Sequence, residues 1–209
     1  INRVIVSTDS SEIAEISELN GAEIPFTRPA DISQDSSTDL EVFKHSLSWL
    51  EKKDKYTPDL VVHLRPTGPA RYVNIIDEAI EKLSKDPSFD CLRSVSLSSQ
   101  TAYKMWQIEN SELISIGNKL GVIESHSAPR QALPKTYWQN GYVDIVRPKT
   151  ILREKSMTGK KVMPFLTIHK SNDLDYPEDI KKVEKDLKEV IKNDFLNTSL
   201  KEEDDRFPV

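Results

Sequence analysis

The sequence predicts an α/β protein: a mainly parallel sheet with helices on both faces. Two observations carry that prediction. Strand-like apolar runs alternate with amphipathic helical patterns along the chain. Residues 60–64 (LVVHL) also form a continuous apolar run of the kind buried on both faces of a parallel sheet. With 209 residues, the chain has the length of one domain, taken as 1–209.

The elements follow in order. Residues 3–6 read as a strand, and Ser7-Thr8-Asp9 leads into a helix with Ile13, Ile16 and Leu19 on one side. Asn20-Gly21 closes that helix, because both residues tolerate the left-handed conformation at a helix end. A short strand over 22–26 and a polar loop over 27–38 precede a second helix over 39–52, with Leu40, Phe43, Leu47 and Leu50 at helical spacing. After the 60–64 strand come a proline-rich turn, a helix over 75–83 and a strand over 91–95. Residues 96–140 break the alternation and read as an inserted subdomain, punctuated by Gly117, Gly121, Pro129 and Pro134. Strands over 142–146 and 162–169 then return, and a last helix over 177–192 has Ile180, Val183, Leu187, Val190 and Ile191 on its buried side.

Composition excludes several function classes. The net charge is −5 with basic residues scattered, so there is no footprint for broad nucleic-acid binding. The single cysteine, Cys91, forbids an intramolecular disulfide or a cysteine zinc cluster and points to a reducing, cytoplasmic setting. No apolar run approaches the ~20 residues of a membrane span, and no membrane partner is expected. Neither a GxGxxG nor a GxxxxGK[ST] string is present, which removes Rossmann-dinucleotide and P-loop readings.

Ligands of open parallel sheets bind beyond the carboxyl ends of the strands, so the loops after strands carry the chemistry. Four are distinctive: FTRPADISQDSSTDL at 26–40, HLRPTGPAR at 63–71, PRQALPKTYWQNG at 129–141 and SNDLDYPEDI at 171–180. Together with VIVSTDSSEIA at 4–14, they resemble, in order and spacing, the acylneuraminate cytidylyltransferase family, the CMP-sialic acid synthetases and their relatives. The resemblance implies a nucleotide-diphospho-sugar transferase-like fold in which 96–140 is a dimerisation subdomain of a homodimer. Tyr103, Met105, Trp106, Leu113, Ile114, Ile116, Tyr137 and Trp138 give that excursion more apolar surface than it can easily bury itself. Trp138 would give the acceptor pocket an aromatic wall, and Trp106 and Trp138 also read as interface or core packing residues.

By resemblance, Arg28 with Ser36, Ser37 and Thr38 binds the cytosine and ribose of CTP, since arginine's planar fork suits a pyrimidine carbonyl and ring nitrogen. Read on their own, Ser37 or Thr38 would cap the helix that follows, and the two roles are compatible. Arg65, Thr67 and Arg71 lie on a turn stiffened by Pro66 and Pro69 and are expected to meet the acceptor. Lys104 and Arg130 match cations that reach the acceptor's carboxylate or its tail, and Gln139 and Asn140 join the same substrate-binding set. Asp173 and Asp175 match the catalytic carboxylates that hold Mg2+; alternate residues of an extended segment point the same way with Cα atoms ~6.5 to 7 Å apart. The same stretch also reads as a helix start, with Asp175, Pro177 and Glu178 in its first turn.

The activity implied is transfer of CMP from CTP to the anomeric hydroxyl of a sialic-acid-like 2-keto sugar acid, with release of pyrophosphate. Two alternatives stand beside it: a non-catalytic homologue that keeps the dimer surface, and nucleotidyl transfer to another acceptor such as Kdo. Family members carry a glycine-rich basic loop for the triphosphate ahead of the position matching Ile1, outside these 209 residues. Without that loop, weak nucleotide binding and little turnover are expected.

Overall fold

The computed structural model describes residues 1–167 and 173–204, with side chains as far as Asn193. The elements are α1 (Ser11–Leu19), α2 (Asp39–Trp49), β1 (Val61–His63), α3 (Val73–Lys85), β2 (Cys91–Leu97), β3 (Trp106–Glu109), β4 (Glu112–Ser115), α4 (Ile116–Lys119), β5 (Tyr137–Val146), α5 (Pro148–Leu152), β6 (Val162–Leu166) and α6 (Ile180–Asp204). Four strands form one sheet in the order β1-β5-β2-β6, and β3 and β4 form a separate pair. The α/β class expected from the alternation holds, and the sheet is mixed. β5 runs antiparallel to β2, with the Arg147 amide reaching the Asp90 carbonyl at one end (3.1 Å) and the Ser98 amide reaching Thr136 at the other (3.0 Å). β6 runs parallel to β2, as the bonds from Asp90 to Lys161 (2.9 Å) and from Thr167 to Val95 (3.0 Å) show. The excursion after β2 turns the chain round, so β5 can return antiparallel without a helical crossover.

By compactness the chain forms two units, each of several segments: Ile1–His63 with Lys82–Leu92 and Ile145–Met163, and Leu64–Glu81 with Arg93–Asp144 and the described part of Pro164–Val209. In the first unit, the Ser10 hydroxyl accepts from the Ile13 amide to start α1, and Gly21, at φ +85°, ends it as expected. Among the described residues nothing covers the apolar side of α1: Ile13, Ile16 and Leu19 are all exposed. The segments expected as strands over 3–6 and 22–26 meet only in isolated parallel bridges, Ile5 with Glu23 and Thr8 with Thr27. Arg3 ties them down by binding Glu23 at 2.5 Å and Asp54 at 2.9 Å. The core of this unit joins Leu47 of α2, Cys91, Val146 and Ile151, with Phe43 and Val61 packed against them. Leu92 and Ile145, next along their strands and so on the opposite face, are fully buried too, so the sheet is covered on both sides here.

In the second unit, β3 and β4 form a hairpin with Ile108 opposite Leu113. Its two-residue loop, Asn110-Ser111, has φ +49° and +67°, the type I′ geometry that matches strand twist. Gly117 in α4 is buried against the Ser125 hydroxyl, which donates to the Tyr103 carbonyl at 2.5 Å. The excursion is shorter than 96–140, because β2 runs on to Leu97 and β5 begins at Tyr137. Tyr137, Trp138 and Gln139 are exposed, so this part of the strand carries no apolar alternation to announce it. Of the face predicted as buried on α6, Val183 is buried, Leu187 and Val190 are half-buried, and Ile180 and Ile191 are exposed. The strand expected over 162–169 ends at Leu166, and its last two residues lie outside the described ones.

Candidate active site

The nucleotide-loop residues lie in the first unit. Thr38 caps α2 in a reciprocal box: its hydroxyl accepts from the Glu41 amide, and the Glu41 carboxylate accepts from the Thr38 amide at 2.8 Å. Those bonds hold the Glu41 carboxyl below its ordinary pKa. The Ser37 hydroxyl accepts from the Gln34 amide at 2.9 Å and tightens the same loop, while Ser36 is exposed. Arg28 donates from Nε to the Ser7 hydroxyl at 3.1 Å and from Nη2 to the Ser7 carbonyl. The structure therefore realises the capping role for Thr38, and Arg28 joins its loop to the first extended segment. His63 sits against the Phe43 ring, centroids 4.7 Å apart, which fits a packed strand-end residue.

The residues expected to meet the acceptor lie in the second unit. Arg71 is largely given over to main-chain carbonyls: Nε donates to Tyr142 at 2.7 Å, and Nη2 donates to Arg65 at 2.7 Å and Gly141 at 3.5 Å. It locks the 63–71 turn to the middle of β5 rather than standing out from it, and burial lowers its pKa. Arg65 reaches the Asp144 carboxylate from Nη1 at 2.6 Å. Gln139 donates to the same oxygen at 3.2 Å, and Asn140 donates to the Thr167 hydroxyl at 2.6 Å. The Thr67 carbonyl accepts from the Leu174 amide at 2.7 Å, which ties the acidic segment to the turn. Lys104 and Arg130 are exposed; Arg130 donates to the Ser98 carbonyl at 3.0 Å.

Leu174 lies between Asp173 and Asp175, and both carboxylates are exposed. The Asp173 pKa is raised, by burial first and by the charge of Asp175 second, against the opposing charges of Arg71 and Arg65. The stretch also starts a helix as expected, with Pro177 and Glu178 in its first turn, but the cap is Tyr176 rather than Asp175, and the Tyr176 amide donates to Asp179 at 3.1 Å. This donor set fits a hard divalent cation: two carboxylates that repel each other, with oxygens of water and phosphate to complete the shell. No group of three His, Cys, Asp or Glu side chains able to hold a metal occurs among the described residues.

Two site residues were missing from the reading of the sequence. Asp144 of β5 is 1% exposed and Arg93 of β2 is 8% exposed, and they pair at 2.5 Å. The signal for them was present: one charge of each sign inside an apolar run, each too costly to bury alone.

No family model matches the chain. Among curated proteins it is 26% identical over 187 residues to post-translational flagellin modification protein B of Campylobacter coli, covering 89% of this chain and 77% of that one. It is 26% identical over 182 residues to a CMP-N,N'-diacetyllegionaminic acid synthase of Campylobacter jejuni, covering 87% and 75%. With an N-acylneuraminate cytidylyltransferase of Escherichia coli it shares 24% over 173 residues, covering 83% and 38%. Its fold is similar to a solved CMP:2-keto-3-deoxy-manno-octonic acid synthetase in complex with CTP, at a TM-score of 0.59 and 12% identity, over 88% of this chain and 79% of that one. In sequence, then, the chain is similar to proteins named as CMP-sugar acid synthases and N-acylneuraminate cytidylyltransferases, and its fold is that of a CMP-sugar acid synthetase.

Proposed function

We propose that the protein transfers CMP from CTP to the anomeric hydroxyl of a sialic-acid-like 2-keto sugar acid. The observation that carries this reading is the charge constellation of the second unit, where the acidic pair Asp173 and Asp175 shares an electrostatic neighbourhood with Arg65 and Arg71. A transferase joining an anionic sugar to a nucleoside triphosphate needs cations for the sugar's carboxylate and carboxylates for the metal that accompanies the phosphates. The names of the curated relatives support the same reading.

In the reaction, the anomeric oxygen bonds to the α-phosphorus and the bond to the β-phosphate's bridging oxygen breaks. Pyrophosphate leaves and the hydroxyl proton passes to solvent. Asp173 and Asp175 would hold Mg2+, which when bound neutralises phosphate charge. Arg65, with Lys104 and Arg130, supplies positive charge for the acceptor's carboxylate. The first unit's Arg28 and the loop of Ser36 and Ser37 contribute donors for the nucleoside. The same reading makes the protein a homodimer through the excursion after β2. Exposure of Trp106, Ile108, Leu113 and Trp138 supports that interface. No helix among the described residues is long and apolar enough to cross a membrane, and the buried Cys91, which is in no disulfide, suits a reducing, cytoplasmic setting.

The test is pyrophosphate release by the full-length protein with CTP, Mg2+ and a panel of 2-keto sugar acids that includes Kdo. Turnover that requires CTP and a sugar acid is expected. Equal turnover with ATP, or none with any sugar acid, overturns the reading.

A further inference from the structure

Asp144 lies in the apolar stretch of β5 between Val143 and Ile145, both fully buried, and its own side chain is 1% exposed. Three donors converge on its Oδ2: Arg93 Nη1 at 2.5 Å, Arg65 Nη1 at 2.6 Å and Gln139 Nε2 at 3.2 Å. Its Oδ1 is buried and has no hydrogen-bond partner among the described residues. A buried ion cluster of this kind is weak as a source of stability, because well-packed apolar residues of similar volume commonly do as well or better. Its presence in a packed strand calls for another reason.

The gradient of exposure supplies that reason. The side chain of Arg93 is 9% exposed and that of Arg65 is 33% exposed, so the cluster runs from the interior to the surface and ends in a guanidinium. Of the two guanidiniums that face the Asp144 carboxylate, that of Arg65 is the more accessible. Arg65 lies against the backbone at Gly141, where φ is +64° and a Cβ would make an ordinary contact with the arginine at 3.6 Å. Arg71 fixes the same turn from beneath by binding the Arg65 carbonyl. Arg65 is thereby held at both ends, main chain and guanidinium.

We propose that Asp144 is a positioning residue for the acceptor: by fixing Arg65 in one orientation, it presets the cation that selects a sugar bearing a carboxylate. The proposal rests on the transferase reading above. It adds the residue that orders the acceptor side and the substrate feature that residue selects. Preorganised charge loses affinity when its support is removed, even though the charge itself remains.

The experiment is steady-state kinetics of the full-length protein, with wild type, Asp144→Asn and Arg65→Gln compared for both substrates. Asp144→Asn should raise KM for the sugar acid about 10- to 100-fold, leave KM for CTP within about twofold and lower kcat less than it raises that KM. Arg65→Gln should reproduce the acceptor effect, and the double variant should be no worse than Arg65→Gln alone, because Asp144 acts through Arg65. If Asp144 is merely structural, Asp144→Asn raises both KM values and lowers kcat together, or adds its effect to that of Arg65→Gln; either result overturns the proposal. If Asp144→Asn does not fold, an unchanged acceptor KM in Arg65→Gln overturns it equally. Absence of turnover in wild type overturns the transferase reading and this proposal with it, whereas wild-type turnover with unchanged acceptor KM in the variants overturns this proposal alone.

Discussion

Arg71 and Tyr142 are joined through the backbone of β5: the guanidinium donates from Nε to the Tyr142 carbonyl at 2.7 Å, and the Tyr142 hydroxyl accepts from the next residue's amide, Tyr72, at 2.6 Å. The turn and the strand therefore hold each other through consecutive residues on one side and a single residue on the other. Arg71→Lys keeps the charge but loses the fork that reaches three carbonyls. It should destabilise the protein by about 1.5–3 kcal/mol, read as a lower urea midpoint at unchanged slope. An unchanged midpoint would show that the fork does not fasten the turn.

Asp173 gives a prediction in pH. A carboxyl whose pKa is raised on folding keeps its proton more readily in the folded chain than in the unfolded one. Its contribution to stability is complete below the unfolded value and is lost as pH rises through the folded value. Asp173→Asn removes that loss. In metal-free buffer, the variant should melt above wild type at pH 7, and the difference should fade toward about pH 4 as the wild-type carboxyl protonates. Added Mg2+ should raise the melting temperature of wild type and not that of the variant. A variant that melts below wild type at pH 7 in EDTA contradicts the repulsion between Asp173 and Asp175.

The hairpin predicts the oligomeric state. Ile108 and Leu113 face each other across β3 and β4 and are 74% and 62% exposed. If this face meets a second copy, the double variant Ile108→Glu, Leu113→Glu places like charges directly opposite one another and again across the two-fold axis. Sedimentation equilibrium should show a dimer for wild type and a monomer for the variant at micromolar concentration. A wild-type monomer rules the interface out.

Gly117 tests the packing of the same excursion. A Cβ there would lie 1.8 Å from the Ser125 hydroxyl oxygen and 2.5 Å from the Tyr103 carbonyl oxygen, and the second contact is with backbone that cannot swing aside. Gly117→Ala should cost about 1–3 kcal/mol in a thermal or urea melt. Gly121→Ala meets no atom within 4 Å but has φ +82°, so it should destabilise through backbone strain alone.

What the sequence made legible divides along physical lines. The runs at Val61 and Cys91 declared themselves because short apolar stretches stand out against polar flanks, although β1 is only half-buried and β2 is buried over its first four residues. Thr38 was readable as a cap because capping is local, with donor and acceptor three residues apart. The regular spacing of Ile13, Ile16 and Leu19 identified a helix, but spacing carries no information on what covers it, and in the structure nothing does so among the described residues. The β3–β4 hairpin escaped because four-residue strands exposed to solvent show too little alternation to count. Asp144 escaped for a different reason: its partner Arg65 is 79 residues away, and only the pairing of the strands brings them together.

The full burial of Cys91 has a practical side. Within these residues no other thiol competes with a cysteine introduced at the surface, and the native one is sealed in the packing between α2, β5 and α5. A thiol-reactive dye should ignore the folded wild-type chain and label a single engineered site, on the exposed hairpin at Glu112 or beside the acidic pair at Glu178, without any prior removal of the natural cysteine. With a second engineered cysteine, the distance between the two labels then becomes measurable on an otherwise unaltered sequence.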